Sequence, residues 1–96
     1  MENIDKSILA LRVDSDVYPL KLTLGALAEI EIALECEDLN ALSNRLKTLS
    51  SVQLSHVLNA LLRAGGSDDP GAISSRANPV DAAKAVADVF GAVDNK

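Results

Sequence analysis

The sequence predicts an α+β fold that is mostly α: an N-terminal β-hairpin packed on a bundle of four to five short helices. Three observations carry that expectation. The stretch "YPLKLTLGALAEIEIALE" (18–35) alternates like a strand for five residues and then shifts to a helical rhythm at Thr23. Downstream, cap residues and Gly/Pro stops recur at helix-length intervals. Hydrophobic residues make up 48% of the 96-residue chain but aromatic ones only 2%, so the core must come from Leu, Ile, Val and Ala. That length suits a single domain spanning 1–96, which buries roughly 60–65% of its unfolded surface.

The hairpin is read over 7–22. "SILALRV" (7–13) puts Leu9, Leu11 and Val13 on one face, "DSD" (14–16) supplies turn formers, and "VYPLKL" (17–22) returns with Tyr18, Leu20 and Leu22 on the same face. Pro19 cannot donate to a ladder, which places its strand at an edge or turns its N position to solvent. A lone hairpin is marginal in water, so the chain is expected to turn at once and cover it with a helix.

That helix is expected over 24–36 with Thr23 as its N-cap. Ala26, Leu27, Ile30, Ala33 and Leu34 share one arc, whereas Glu29, Glu31, Glu35 and Ile32 fall outside it. Asp38 caps a second helix (38–48) whose Leu39, Leu42, Leu46 and Leu49 form a narrow seam. "SSVQ" (50–53) is a capping box for a third (51–64), with Leu54, Val57, Leu58, Leu61 and Leu62 on a wide apolar face and Gly65-Gly66 as its stop. Residues 65–78 read as a loop in which Asp69-Pro70 can start a short helix. Asn78-Pro79 opens the last helix (79–92), with Ala83, Val86, Ala87 and Phe90 inward and a frayed tail at 93–96.

The chemistry-bearing residues form no catalytic constellation. Asp14 and Asp16 begin like a calcium loop, but Tyr18, Pro19 and Gly25 occupy positions where ligands and the obligatory Gly belong. Glu29, Glu31, Glu35, Glu37 and Asp38 surround a lone Cys36 without ligand spacing, which reads as a solvated acidic face or a docking surface for a basic partner. His56 falls on the polar face of its helix, and Gly65-Gly66 lacks the Lys-Ser/Thr ending of a phosphate loop. No enzyme, cofactor, metal or small-molecule substrate is expected.

A net charge of −5 with nine scattered basic residues argues against nucleic acid as a partner. One cysteine fits a reducing compartment, and neither a signal-peptide pattern nor a bilayer-length apolar run is present, so no membrane partner is expected and the reading is cytoplasmic. What remains is apolar surface. Ile32 lies off its helix's main stripe, and the third helix's apolar face is wider than one neighbour needs. Single exposed aliphatics are ordinary, but several together would make a groove for a partner helix or a self-association face.

Leu22, Thr23, Leu24, Gly25, Ala26, Leu27, Ala28, Glu29 and Glu31, with the Leu-rich and Ser-initiated helices after them, match a recurrent L-T-L-G-A-L-A-E-[LI]-E pattern. In this the chain resembles the gene-transfer-agent and prophage family of small tail proteins often described as tail assembly chaperones. The resemblance covers about residues 10–66 and weakens beyond. It implies a non-enzymatic chaperone or adaptor in the bacterial host that masks apolar helical segments of the tape-measure protein, with a homo-oligomer left open. Ile32, Leu58 and Leu62 are the residues placed at the partner surface, on their positions alone. The alternatives are a structural minor tail component present in the virion, or a small regulatory interaction module. Tail tube proteins usually bring a β-sandwich-like ring former, for which one hairpin is too little strand.

Overall fold

The computed structural model describes residues 9–94. Its order is β1 (Leu9–Val13), β2 (Asp16–Leu20), α1 (Leu24–Ala33), α2 (Leu39–Arg45), α3 (Ser51–Ala64), α4 (Pro70–Arg76) and α5 (Pro79–Asp94). This is the expected α+β, mostly α arrangement. Ser7 and Ile8 of the expected first strand, and Asn95 and Lys96 of the expected tail, lie outside the described residues.

β1 and β2 pair antiparallel with Leu9 opposite Leu20, Leu11 opposite Tyr18 and Val13 opposite Asp16. Opposed residues share a face, so Leu9, Leu11, Val13, Tyr18 and Leu20 all point the same way. The loop between the strands is Asp14-Ser15, and Asp14 takes a φ of 58°, the left-handed geometry a two-residue hairpin needs at its first loop position. Tyr18 donates its hydroxyl to Asp16 at 3.4 Å.

The helix starts follow local chemistry. Thr23 Oγ1 accepts from the Ala26 N–H at 3.0 Å, and Asp38 Oδ1 from Ala41 at 2.9 Å. Ser50 and Gln53 form a reciprocal capping box at 3.0 and 3.2 Å. Asn78 Oδ1 accepts from Val80 at 2.9 Å and Asp81 at 3.3 Å. The segment read as a loop with a short helix does contain one: Asp69 caps α4, Pro70 opens it and Ile73 is buried.

The helix ends depart from expectation. α1 stops at Ala33, short of the expected residue 36, because Glu35 turns left-handed at φ 57°. Two backbone bonds close that end as a Schellman motif, Cys36 N–H to Glu31 O at 2.9 Å and Glu35 N–H to Ile32 O at 3.2 Å. α3 ends the same way with Gly66 at φ 105°, Ser67 N–H reaching Leu62 O at 3.0 Å. α2 ends at Arg45 and α5 runs on to Asp94, against expected ends at 48 and 92.

α3 is the hub, in contact with α1, α4, α5 and β2. The hairpin's main cover is therefore not α1, as its place in the sequence suggested, but α3 under β2 and α5 under β1. α1 lies instead on α3. The core joins Leu11, Val13 and Leu20 of the hairpin to Ile30 and Leu34, Leu42, Val57, Leu61, Leu62, Ile73 and Val89, with Ala26, Ala60, Ala82 and Ala85 letting the backbones close in. α5 meets this core on a face turned by about one residue, roughly 100°, from the expected one. Ala82, Ala85, Val86 and Val89 are buried, while Ala83 and Ala87 are exposed and Phe90 is half-buried. Of the expected α2 seam, Leu42 is buried and Leu46 and Leu49 half-buried; the side chain of Leu39 lies outside the described set.

The junction of α3 with β2 is very close. The Lys21 N–H donates to Leu61 O at 3.2 Å, and a Cβ placed on Gly65 would stand 2.2 Å from the carbonyl oxygen of Pro19. Backbone cannot yield as a flexible side chain does. Gly65→Ala is expected to cost about 2–3 kcal/mol, lowering the chemical-denaturation midpoint. Glu35→Gly is expected to act oppositely, gaining up to about 1 kcal/mol by removing the left-handed Cβ penalty. Thermal melts of the two variants beside the parent check both signs.

Candidate functional site

The three residues placed at a partner surface separate in the structure. Ile32 is 78% exposed on α1. Leu58 and Leu62 are 1% and 0% exposed, sealed inside the core, and present nothing to a partner in this fold. The physical reason is the number of neighbours of α3. An apolar face too wide for one contact is filled by four, so its width reports a central position and not an open groove.

Ile32 is not isolated. Leu24 is 83% exposed, and Ala28 between them is exposed as well. Positions i, i+4 and i+8 line up along one side of a helix, so the three form a ridge. α1 is apolar nearly all round; Ala26, Ile30 and Leu34 face inward and Leu24, Ala28 and Ile32 face out. On the helix surface Glu31, half-buried, borders the ridge on one side, and Glu29 lies beyond Gly25 on the other. Glu29 is ion-paired with Arg63 of α3, which pins α1 to the hub. Both partners are about half exposed, so the pair orients more than it stabilises.

A second apolar feature lies on α5. Two of the four residues expected inside, Ala83 and Ala87, instead line an open cleft of about 350 Å³ with Val86, Phe90 and Gly91 on α5, Leu46, Lys47 and Leu49 after α2, and Leu54 on α3. Ala83, Ala87 and Gly91 again follow i, i+4, i+8, so small residues form a furrow beside the larger Val86 and Phe90. Sequence reasoning missed Leu24 and the furrow. Leu24 could have been found from its spacing to Ile32, whereas the furrow required knowing that β1 takes the Ala82–Ala85–Val89 side of α5.

The remaining polar groups sit where a structural role suffices. His56 is exposed, and Cys36 is half-buried with its thiol donating to Leu34 O at 3.6 Å. Asp14 meets Arg76 at 3.5 Å, tying the hairpin loop to the end of α4, and Ser74 donates to Asn59 at 2.7 Å, tying α4 to α3. Among the described residues no helix is long and apolar enough to cross a membrane.

Opposite behaviour is expected of the exposed and sealed positions. Leu58→Ala should lose about 2–5 kcal/mol of stability, whereas Ile32→Asp should stay within about 0.5 kcal/mol of the parent. Urea unfolding followed by circular dichroism reads both.

A family model described as phage tail tube protein, GTA-gp10, matches residues 7–93, reaching well past residue 66, where the resemblance in the sequence weakened. Neither the curated proteins nor the solved structures yield a match. The description names a tail protein and not an assembly chaperone, so the expectation holds at the level of the tail family. With the match running from the hairpin through α5, the chain belongs to the phage tail tube protein, GTA-gp10 family.

Proposed function

We propose that this chain acts in phage-like tail morphogenesis as a non-enzymatic chaperone or adaptor that masks apolar helical segments of the tape-measure protein before the tube closes around it. The observation that carries this reading is the ridge Leu24–Ala28–Ile32, an apolar helix face left exposed by the described residues on a small domain with a net charge of −5. Two large aliphatics exposed along one helix side make a continuous apolar face, which is suited to a partner's apolar helix. Excess negative charge keeps the resulting complex dispersed. Each contact is small, so binding is weak per copy and strengthened by repetition along a rod-like partner.

A second reading, a permanent component of the particle, is favoured by the family's own description as a tail tube protein. Against it stands the size of the sheet. The described residues contain two five-residue strands, and both edges of a two-stranded ribbon cannot build a continuous tube wall without strands from elsewhere.

Two measurements separate the readings. Co-expression with the tape-measure protein is expected to raise that protein's soluble yield and to retain it on affinity-tagged chain, with Ile32→Asp reducing the retained amount by about tenfold or more, the equivalent of ~1.4 kcal/mol. Mass spectrometry of purified particles should find the chain absent. Stoichiometric presence in finished particles, or undiminished retention by the folded Ile32→Asp protein, overturns the chaperone assignment.

A further inference from the structure

We propose that the outer edge of β1 accepts an extended segment of another protein as an antiparallel third strand, laid in the groove between β1 and α5. The phase of the hairpin fixes which backbone groups are free for this. In a two-residue hairpin the residues flanking the loop exchange both of their hydrogen bonds, so Val13 and Asp16 are a bonded pair. Alternation makes Leu11–Tyr18 and Leu9–Leu20 bonded pairs as well. Arg12 and Ala10 then turn their N–H and C=O groups away from β2. Pro19 falls opposite Ala10, where an N–H would point outward, so its ring costs the ladder nothing.

The two edges differ. β2 offers Val17 alone as a full donor and acceptor, because Pro19 has no N–H and its carbonyl abuts Gly65. β1 offers Ala10 and Arg12, both exposed, and neither has a backbone partner among the described residues outside the hairpin. Neither Pro nor a bulge blunts this edge. Each of the two residues presents a donor and an acceptor side by side, which is what an antiparallel neighbour pairs with.

Alongside, α5 leaves an open groove of about 290 Å³ with the buried Leu11 and Ala85 at its base. An edge strand beside a helix suits strand addition, in which main-chain bonds hold an extended peptide and alternate side chains select it. The helix lines the groove with Asp81, Lys84 and Asp88 in that order. The two aspartates stand about 10 Å apart along the helix axis, and same-face strand residues recur every ~6.6–6.8 Å. Inward side chains ordered basic, acidic, basic therefore meet three groups of opposite sign, and that order reads the same in both directions. A second copy is a poor donor of such a strand, since its own β1 is flanked by the same aspartates. The partner is an extended arm with no helix along its free edge. None of the ridge residues takes part, so failure here leaves the chaperone reading untouched.

The probe is the acetylated and amidated peptide Gly-Lys-Val-Glu-Val-Lys-Gly, titrated to millimolar concentration into the isotope-labelled full chain and followed by amide NMR. Shifts are expected at Ala10 and Arg12 and along 81–88, with slowed exchange of the Ala10 and Arg12 N–H groups. The same peptide N-methylated at both valines keeps every side chain but loses the donors that face β1, and should bind about tenfold more weakly. Its charge-exchanged counterpart, Gly-Glu-Val-Lys-Val-Glu-Gly, should bind about threefold more weakly or worse. Asp88→Lys, at an exposed position, should narrow that preference. Unmoved Ala10 and Arg12 amides, equal binding of the N-methylated peptide, or equal binding of the two charge orders overturns the inference.

Discussion

The architecture depends on how closely the end of α3 approaches strand β2. With two aromatic residues in 96, the chain has no large rings to span gaps between elements, and its backbones must come near one another. Gly65 makes this approach achievable, since any side chain there meets the Pro19 carbonyl. The Lys21–Leu61 hydrogen bond then ties the chain leaving β2 to the last turn of the helix. Once that junction is set, the hairpin's apolar face lies over the Leu and Val positions of α3, and α1, α4 and α5 occupy the remaining sides of the hub. The two adjacent glycines divide the work. Gly65 gives proximity, and Gly66, with its positive φ and open surroundings, gives the reversal that lets the chain leave.

What could be read from the sequence is what local chemistry determines. Thr23, Asp38, Ser50 and Asn78 begin helices because a side-chain oxygen satisfies amide donors three residues ahead, and that needs no tertiary information. The hairpin register follows from strict alternation and a two-residue polar loop. Helix ends were less legible wherever a residue other than glycine turned left-handed. Glu35 carries no compositional sign that α1 stops two residues before it. The choice of neighbours was not legible at all. Nothing near Thr23 reveals that α1 lies on α3 and leaves the hairpin to α5, since that depends on contacts between residues some seventy positions apart. The misplacement of Leu58 and Leu62 has the same origin, because a wide apolar face on a wheel looks alike whether four elements cover it or none does.

The surface that was legible, Ile32, belongs to a row whose other end was not noticed. α1 distributes its apolar residues almost evenly around its circumference, which is unusual for a helix whose main neighbour is one other helix. Its inward side is used in the core, and among the described residues nothing packs over the outward side. The furrow on α5 arises differently. Strand β1 draws the helix round by one residue, turning Ala83 and Ala87 outward and leaving Phe90 at the cleft's margin. A ridge left by composition and a hollow left by rotation are thus independent consequences of the fold, and both lie on surfaces that the core does not need.

Net charge sets how far such surfaces can act. Every copy carries −5, so on the proposed reading copies gathered along one rod-like partner accumulate like charge while each contact contributes only a short-range apolar face. Repulsion between exposed charges falls off over about 8–10 Å at physiological salt, so it acts between the facing surfaces of neighbouring copies and is largely screened between copies further apart. On the proposed reading, copies spaced along a long apolar helix of another protein are each held by that helix without having to touch. The acidity that argues against a nucleic-acid partner would, on the proposed reading, also keep copies apart while their apolar ridges exchange partners.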